Sequence, residues 1–288
     1  MFFISVFCLL FSIFFHALVD RITKILNPLL HELSEVQHSK KKYVQRQHFV
    51  WQNSCISFVH ALVSGLWSIS TFYFEPDSLT DLINGSTRYS VALVSYSLGN
   101  CFFSTLHSLG YFIFDSVHMA VLHPYRSTVE LLVHHFIIFI CFSSALLSGK
   151  YIGYAVVSLL PEVNSIFLHL RRVMNYLRIP KDNRFFRATC LLNIGTFIIF
   201  RFIVLSWMTR WIVINRDHIP FGYYCLGSVG LAVLMVMNIV LFIRVVYADF
   251  LTNNTVSSAA SLVAAAGVGT SANGKPHLSM HSSYMSTH

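Results

Sequence analysis

Three stretches of this chain, residues 1–19, 50–74 and 89–114, contain no Asp, Glu, Lys or Arg. Runs of that length fit helices crossing a bilayer, whose hydrocarbon core is about 30 Å thick and takes about 20 apolar residues to span. Lipid offers no hydrogen bonds, so a spanning segment must satisfy its own backbone, and a helix does. Residues 128–149, 151–170, 188–211 and 220–247 have similar character, the fifth run being interrupted by Pro161, Glu162, Asn164 and His169. Charged residues make up only 11% of the 288 and hydrophobic residues 55%. A soluble domain carries about 25% charged residues, so this chain lacks the charges to cover a water-facing surface. The fold class read from the sequence is all-α, a multi-pass transmembrane helical bundle with seven crossings.

The formal net charge of +8 is concentrated in alternate loops. Arg21, Lys24, Lys40, Lys41, Lys42 and Arg46 separate the first two spans, and Arg171, Arg172, Arg178, Lys181, Arg184 and Arg187 separate the fifth and sixth. Arg126 lies in the loop of the same parity, while the opposite loops hold only Arg88, Lys150 and Arg216. Basic loops stay cytosolic, which puts the N-terminus outside and the tail inside. The charge is thereby assigned to topology and to lipid headgroups, not to nucleic acid. Asn84-Gly85-Ser86, a glycosylation sequon in the acidic 75–88 loop, falls outside on this reading, and Asn253-Asn254-Thr255 falls inside and is expected to stay unmodified.

Residues 1–19 read as a retained signal-anchor helix, with a cleaved signal peptide as the alternative: no positive n-region precedes them and no small-x-small site follows. Residues 20–49 form a basic cytosolic segment, 50–250 one membrane domain, and 251–288 a disordered cytosolic tail rich in Ala, Ser and Gly. The six cysteines each fall in or beside a different span without a CxxC, the pattern of small buried hydrophobes. No phosphate loop, nucleophile elbow or zincin pattern occurs, and no cofactor is implied.

Ionisable groups inside a membrane cost about 2.5–3.5 kcal/mol each on insertion scales and demand a reason. Those read as lying within or at the edge of the bilayer are Asp115, His118, His134, His135, Glu162, His169 and Arg201, joined by the amides of Asn164 and Asn193. At about 1.5 Å rise per residue, His134 and His135 lie roughly 9–11 Å below the cytosolic edge, Glu162 roughly 12 Å and Asn164 roughly 9 Å. Glu162, Ser165 and His169 share one helix face at i, i+3, i+7. Pro161 removes a donor and frees the carbonyl of Val157, predicting a kink. Such groups serve as interhelical hydrogen bonds, as a lipid or substrate site, or as metal ligands. Adjacent His134 and His135 point about 100° apart on a helix, so no metal site is assigned.

The stretch from Tyr111 to Met174 resembles the TLC-domain family, which includes the ceramide synthases. The matching residues are Asp115 in YFIFD, His134-His135 in ELLVHHF and PEVNSIFLHLRRVM from Pro161, with similarity over 50–250 including WQNSCISFVHALVSG and LSGKYIGYAVVSLLPEVNS. The resemblance implies a six-helix core around a central cavity plus one N-terminal helix. It looks closest to the subgroup associated with membrane fluidity and phospholipid composition, plasma-membrane proteins that limit polyunsaturated chains in phospholipids. Ceramide synthases carry a further His-Asp and a second Asp downstream of the paired His; at that spacing this chain has Pro161-Glu162 and Ser165. The resemblance therefore carries over His134, His135 and Glu162 as catalytic candidates, without the full set. Asp115, His118, Asn164, Ser165, His169 and Arg201 are the expected cavity lining. The partners implied are membrane lipids, through phospholipid or fatty acyl chains. The expected location is the cell membrane, or alternatively the endoplasmic reticulum membrane.

Overall fold

The computed structural model describes residues 1–26, 38–76, 80–119 and 126–251, with side chains described outside 38–46, 105–129, 131 and 250–251. The tail, its sequon at Asn253, and the side chains of Asp115 and His118 lie outside the described residues. The helices are α1 (Phe2–Ile25), α2 (His38–Phe74), α3 (Arg88–Met119), α4 (Arg126–Ser148), α5 (Ile152–Val157), α6 (Pro161–Tyr176), α7 (Arg184–Phe197), α8 (Val204–Ile214) and α9 (Phe221–Val246). A π-helical turn, Ile198–Ile203, joins α7 to α8. The residues form two units, Met1–Phe242 and Ile243 onward; the second holds the end of α9 and a π turn at Tyr247–Leu251.

Among the described residues, five helical stretches are long and apolar enough to cross a membrane: Phe2–Ile25, Gln47–Phe74, Ile152–Tyr176, Arg184–Ile214 and Phe221–Asp249. Leu132–Ser148 is a shorter apolar helix. The chain is an all-α multi-pass membrane bundle. Its outer surface is apolar where lipid would lie: Phe3, Phe7 and Phe14 on α1 are 69–86% exposed. Two of the six cysteines, Cys101 and Cys190, are buried, and the other four are half-buried.

Turns of the same parity meet, as alternating crossings require. The Tyr151 N–H donates to the Ile83 carbonyl (2.8 Å), and Leu82 shares a core cluster with Ile219 from the turn before α9. At the opposite end, Trp51 Nε1 donates to the Thr23 carbonyl (3.2 Å) and its ring lies 4.7 Å from that of Tyr176. Helix α2 begins at His38 and α1 runs to Ile25, so the basic segment expected between them is helical at both ends.

The fifth crossing is broken rather than kinked. Helix α5 ends at Val157, and α6 restarts with Pro161 at its first turn, a position that needs no N–H. The Val157 carbonyl, expected to be free, accepts instead from the Leu160 N–H at 3.1 Å in a tightened turn. Two side chains hold this break: Ser68 Oγ donates to the Val156 carbonyl (3.0 Å), and Tyr154 Oη donates to the Met208 carbonyl (3.0 Å). At Gly65 a Cβ would lie 3.1 Å from Val163 N and 3.2 Å from the Glu162 carbonyl carbon, so the missing side chain lets α2 lie on the start of α6.

The π turn corrects a phase error. The buried residues of α7 include Asn193 and Phe197, and those of α8 begin at Leu205. Eight residues of regular helix would rotate Leu205 about 80° off the inward face. One residue accommodated in a wider π turn removes most of that rotation. Arg201 sits inside the turn.

Candidate functional site

Helix α6 presents Asn164 and Ser165, both buried, toward the helix formed by α7, the π turn and α8. Asn164 Nδ2 donates to the Asn193 carbonyl (2.8 Å), Asn193 Oδ1 (3.1 Å) and Thr196 Oγ1 (3.0 Å). Its Oδ1 accepts from Arg201 Nε at 2.7 Å. Arg201 also donates from Nη1 to Asn238 Oδ1 (2.6 Å) and from Nη2 to Ser165 Oγ (2.8 Å). The guanidinium carbon lies 5.2 Å from the centroid of the fully buried Phe197 ring. A buried charge is tolerated only when hydrogen-bonded, and here the acceptors are neutral oxygens on α6 and α9. The guanidinium fork has more N–H groups than these three bonds use.

The groups acting on the Glu162 carboxylate are Arg201, through space, and the Ser165 hydroxyl. Arg201 is thus the charged group of this layer that acts on Glu162. His134 and His135 stand edge to face with centroids 5.5 Å apart, and Arg201 is within electrostatic reach of His134. The His135 carbonyl accepts from the Cys101 thiol at 3.0 Å, which ties α4 to α3. His169 lies within reach of Arg172 and Arg201, and its Nδ1 is buried without a protein partner. Helix α4 packs on α3 and α5, whereas α6 packs on α2 and α7. The imidazole pair and Glu162 are therefore carried by helices with different main packing partners.

One to two turns further along the same helices, the lining becomes apolar. A pocket of about 100 Å³ is lined by Cys141, Phe142, Tyr154, Met208, Trp211 and Leu231, among others. Its wall continues the polar layer in register. Ile138 follows His134 by one turn, Ser158 precedes Glu162 by one turn, and Leu234 precedes Asn238 by one turn. The arrangement offers a cationic, hydrogen-bonding end and an apolar end on one set of helices, which is the chemistry an amphiphile needs.

Four participants escaped the sequence reading. Asn238 completes the Arg201 clamp from α9, and His16, His60 and Tyr96 form a second polar group on α1, α2 and α3. The missed signal was periodic: Ser12, His16, Asp20 and Thr23 recur at helical spacing inside an otherwise apolar run. No group of three or more His, Cys, Asp or Glu positioned for a metal exists among the described residues. Asn84 is exposed on the turn after α2, its Nδ2 donating to Asp81 Oδ2 (3.3 Å).

Comparison with known proteins agrees with this architecture. The family pattern described as the TLC domain matches residues 50–247. TLC domain-containing protein 2 of Danio rerio is 42% identical over 207 residues, 72% of this chain and 79% of that protein. The Homo sapiens protein of the same name is 32% identical over 206 residues, covering 72% of this chain and 74% of its own length. TLC domain-containing protein 1 of Homo sapiens is 30% identical over 200 residues, covering 69% and 75%. The chain belongs to the TLC-domain family of membrane proteins.

Proposed function

We propose that this protein regulates the acyl composition of membrane phospholipids, limiting polyunsaturated chains and so membrane fluidity, through a lipid held in its core. The observation that carries the reading is that the Arg201 clamp and the apolar pocket share helices, with Met208 of the pocket about two turns along from Arg201. A phosphate or ester oxygen suits the remaining guanidinium donors, and part of an acyl chain suits the apolar space of about 100 Å³ beyond Ile138 and Ser158. The paired histidines support a second reading, acyl transfer of the ceramide-synthase type, in which His134 or His135 removes a proton from an attacking amine or hydroxyl. The absence of the further His-Asp and the second Asp at the ceramide-synthase spacing favours the first. The working location is the cell membrane, with the endoplasmic reticulum membrane as the alternative, and Asn84 is placed outside.

Lipid profiling of cells lacking the protein tests the choice. The expected result is a raised polyunsaturated fraction of phospholipids at unchanged ceramide, restored by wild type but not by Ser158→Leu or His135→Ala at equal abundance. A selective drop in one ceramide chain-length class would establish the acyl-transfer reading instead, and full restoration by both variants would remove the site from the function.

A further inference from the structure

Helix α1 is apolar outside and polar inside: its buried residues are Ser12, His16, Asp20 and Thr23. Helix α2 repeats the pattern with His60, Ser64, Ser68 and Thr71, all buried. The α1 stripe approaches α3 closely because Gly99 of α3 has no Cβ. One added there would lie 2.6 Å from the Leu9 carbonyl oxygen and 2.8 Å from Ser12 Cβ. Ser12 Oγ then reaches the Tyr96 carbonyl at 2.6 Å.

Three rings meet at this junction. His16 and His60 have centroids 5.6 Å apart, His16 and Tyr96 5.5 Å, and His60 and Tyr96 5.8 Å. Exposure is 0%, 7% and 2% for His16, His60 and Tyr96. The hydrogen bonds fix the tautomers. His16 Nδ1 lies 2.7 Å from the Ser12 carbonyl, which can only accept, so Nδ1 carries the hydrogen and Nε2 is a bare lone pair. The Ser64 hydroxyl gives its hydrogen to the His60 carbonyl (2.7 Å), so its oxygen accepts from His60 Nε2 (3.4 Å) and leaves Nδ1 bare. His16 Nε2, His60 Nδ1 and the Tyr96 hydroxyl are all buried without a protein partner. Each such group costs about 1–3 kcal/mol, and three at one junction of three helices call for something to meet them.

We propose that His16, His60 and Tyr96 form a binding site for a hydroxyl group, which accepts the Tyr96 hydrogen and donates its own to a bare imidazole nitrogen, with water able to serve both nitrogens. Two sources share that chemistry, a water molecule and the alcohol head of a neutral lipid. The rings are neutral acceptors and suit a neutral donor. The site is distinct from the Arg201 clamp but joined to it through His60, which lies within electrostatic reach of His16, His135 and His169. Helix α1, outside the matched 50–247 region, thereby supplies one wall of the polar interior. The inference does not rest on the lipid-composition reading.

The test is nitrogen NMR of the full chain, labelled with 15N-histidine, in phosphatidylcholine nanodiscs. The expected result is that at least one of His16 Nε2 and His60 Nδ1 resonates as a hydrogen-bonded acceptor. Added dioleoylglycerol then separates the sources. A change in those resonances that the methyl ether of dioleoylglycerol does not produce assigns the site to a lipid alcohol. Insensitivity to both, with magnetisation transfer from water, assigns it to water. Resonances of free, unbonded acceptor nitrogens, unmoved by either addition, overturn the proposal. The wild-type spectrum is decisive, so no variant has to fold for the outcome to count.

Discussion

Arg201 carries a charge into the bundle, and its hydrogen bonds go to neutral oxygens of Asn164, Ser165 and Asn238. His16, His60 and Tyr96 leave three buried polar atoms without a protein partner. The contrast follows from the cost of failure. An unmet charge in a low-dielectric interior costs far more than an unmet neutral ring nitrogen, so the guanidinium is clamped from two other helices while the rings can stay open to a guest. The clamped region is built for permanence and the open one for occupancy.

The largest effect should come from breaking the clamp. Asn164→Leu strands Arg201 Nε and removes the donor shared by Asn193 and Thr196. Bonds to charged groups are worth about 1.5–3 kcal/mol each, so a loss of about 3 kcal/mol or more is expected as a lower unfolding temperature in detergent. Adding Arg201→Leu should recover part of that loss, because the stranded charge is then gone. No change in Asn164→Leu would mean the guanidinium is satisfied elsewhere.

A smaller effect should follow from parting the open region. Gly99→Leu pushes its side chain into the Leu9 carbonyl and Ser12, and overpacking of this kind costs about 1–3 kcal/mol. Helix α1 should move off α3, raising the rate of tryptic cleavage at Lys24 while leaving the Arg201 clamp intact. An unchanged rate would show that α1 is not held at this crossing.

The smallest effect belongs to a polar cluster that water can reach, where neither rule is enforced. Hydrogen bonds from the Asn84 backbone and side chain hold the fully exposed Asp81 carboxyl below the usual range. A depressed folded value means the turn gains stability above the unfolded value of about 3.9 and loses it as pH falls through the folded one. Amide exchange at Ile83 and Asn84 should accelerate across that window, and Asp81→Ala should remove the pH dependence with little change elsewhere.

The lipid-spanning character was legible because absence of charge over a bilayer's thickness has few other causes. The membership of the Arg201 layer was partly legible: Asn164, Ser165 and Arg201 announce themselves as polar residues in apolar runs. Asn238 did so too, but a single amide gives no hint of which helix it faces. The break before Pro161 was readable as a disturbance, yet the proline sits at the start of a new helix, where it disrupts nothing. His16 and His60 were harder to read, because each is a lone histidine in a run without Asp, Glu, Lys or Arg. Their shared tertiary position depends on Gly99, whose importance lies in an atom it lacks.

The π turn at Ile198–Ile203 has a consequence for how this span tolerates change in length. A one-residue deletion there would leave a regular α-helix with continuous backbone hydrogen bonding, so the loss would hardly register locally. Because the π turn already absorbs one residue, Leu205, Met208 and Ile212 would stay on the inward face. An insertion has no such reserve and would rotate those residues by about 100° off the interior. The segment around Arg201 thus holds one residue in reserve between two half-helices, so the span can lose a residue there more safely than it can gain one.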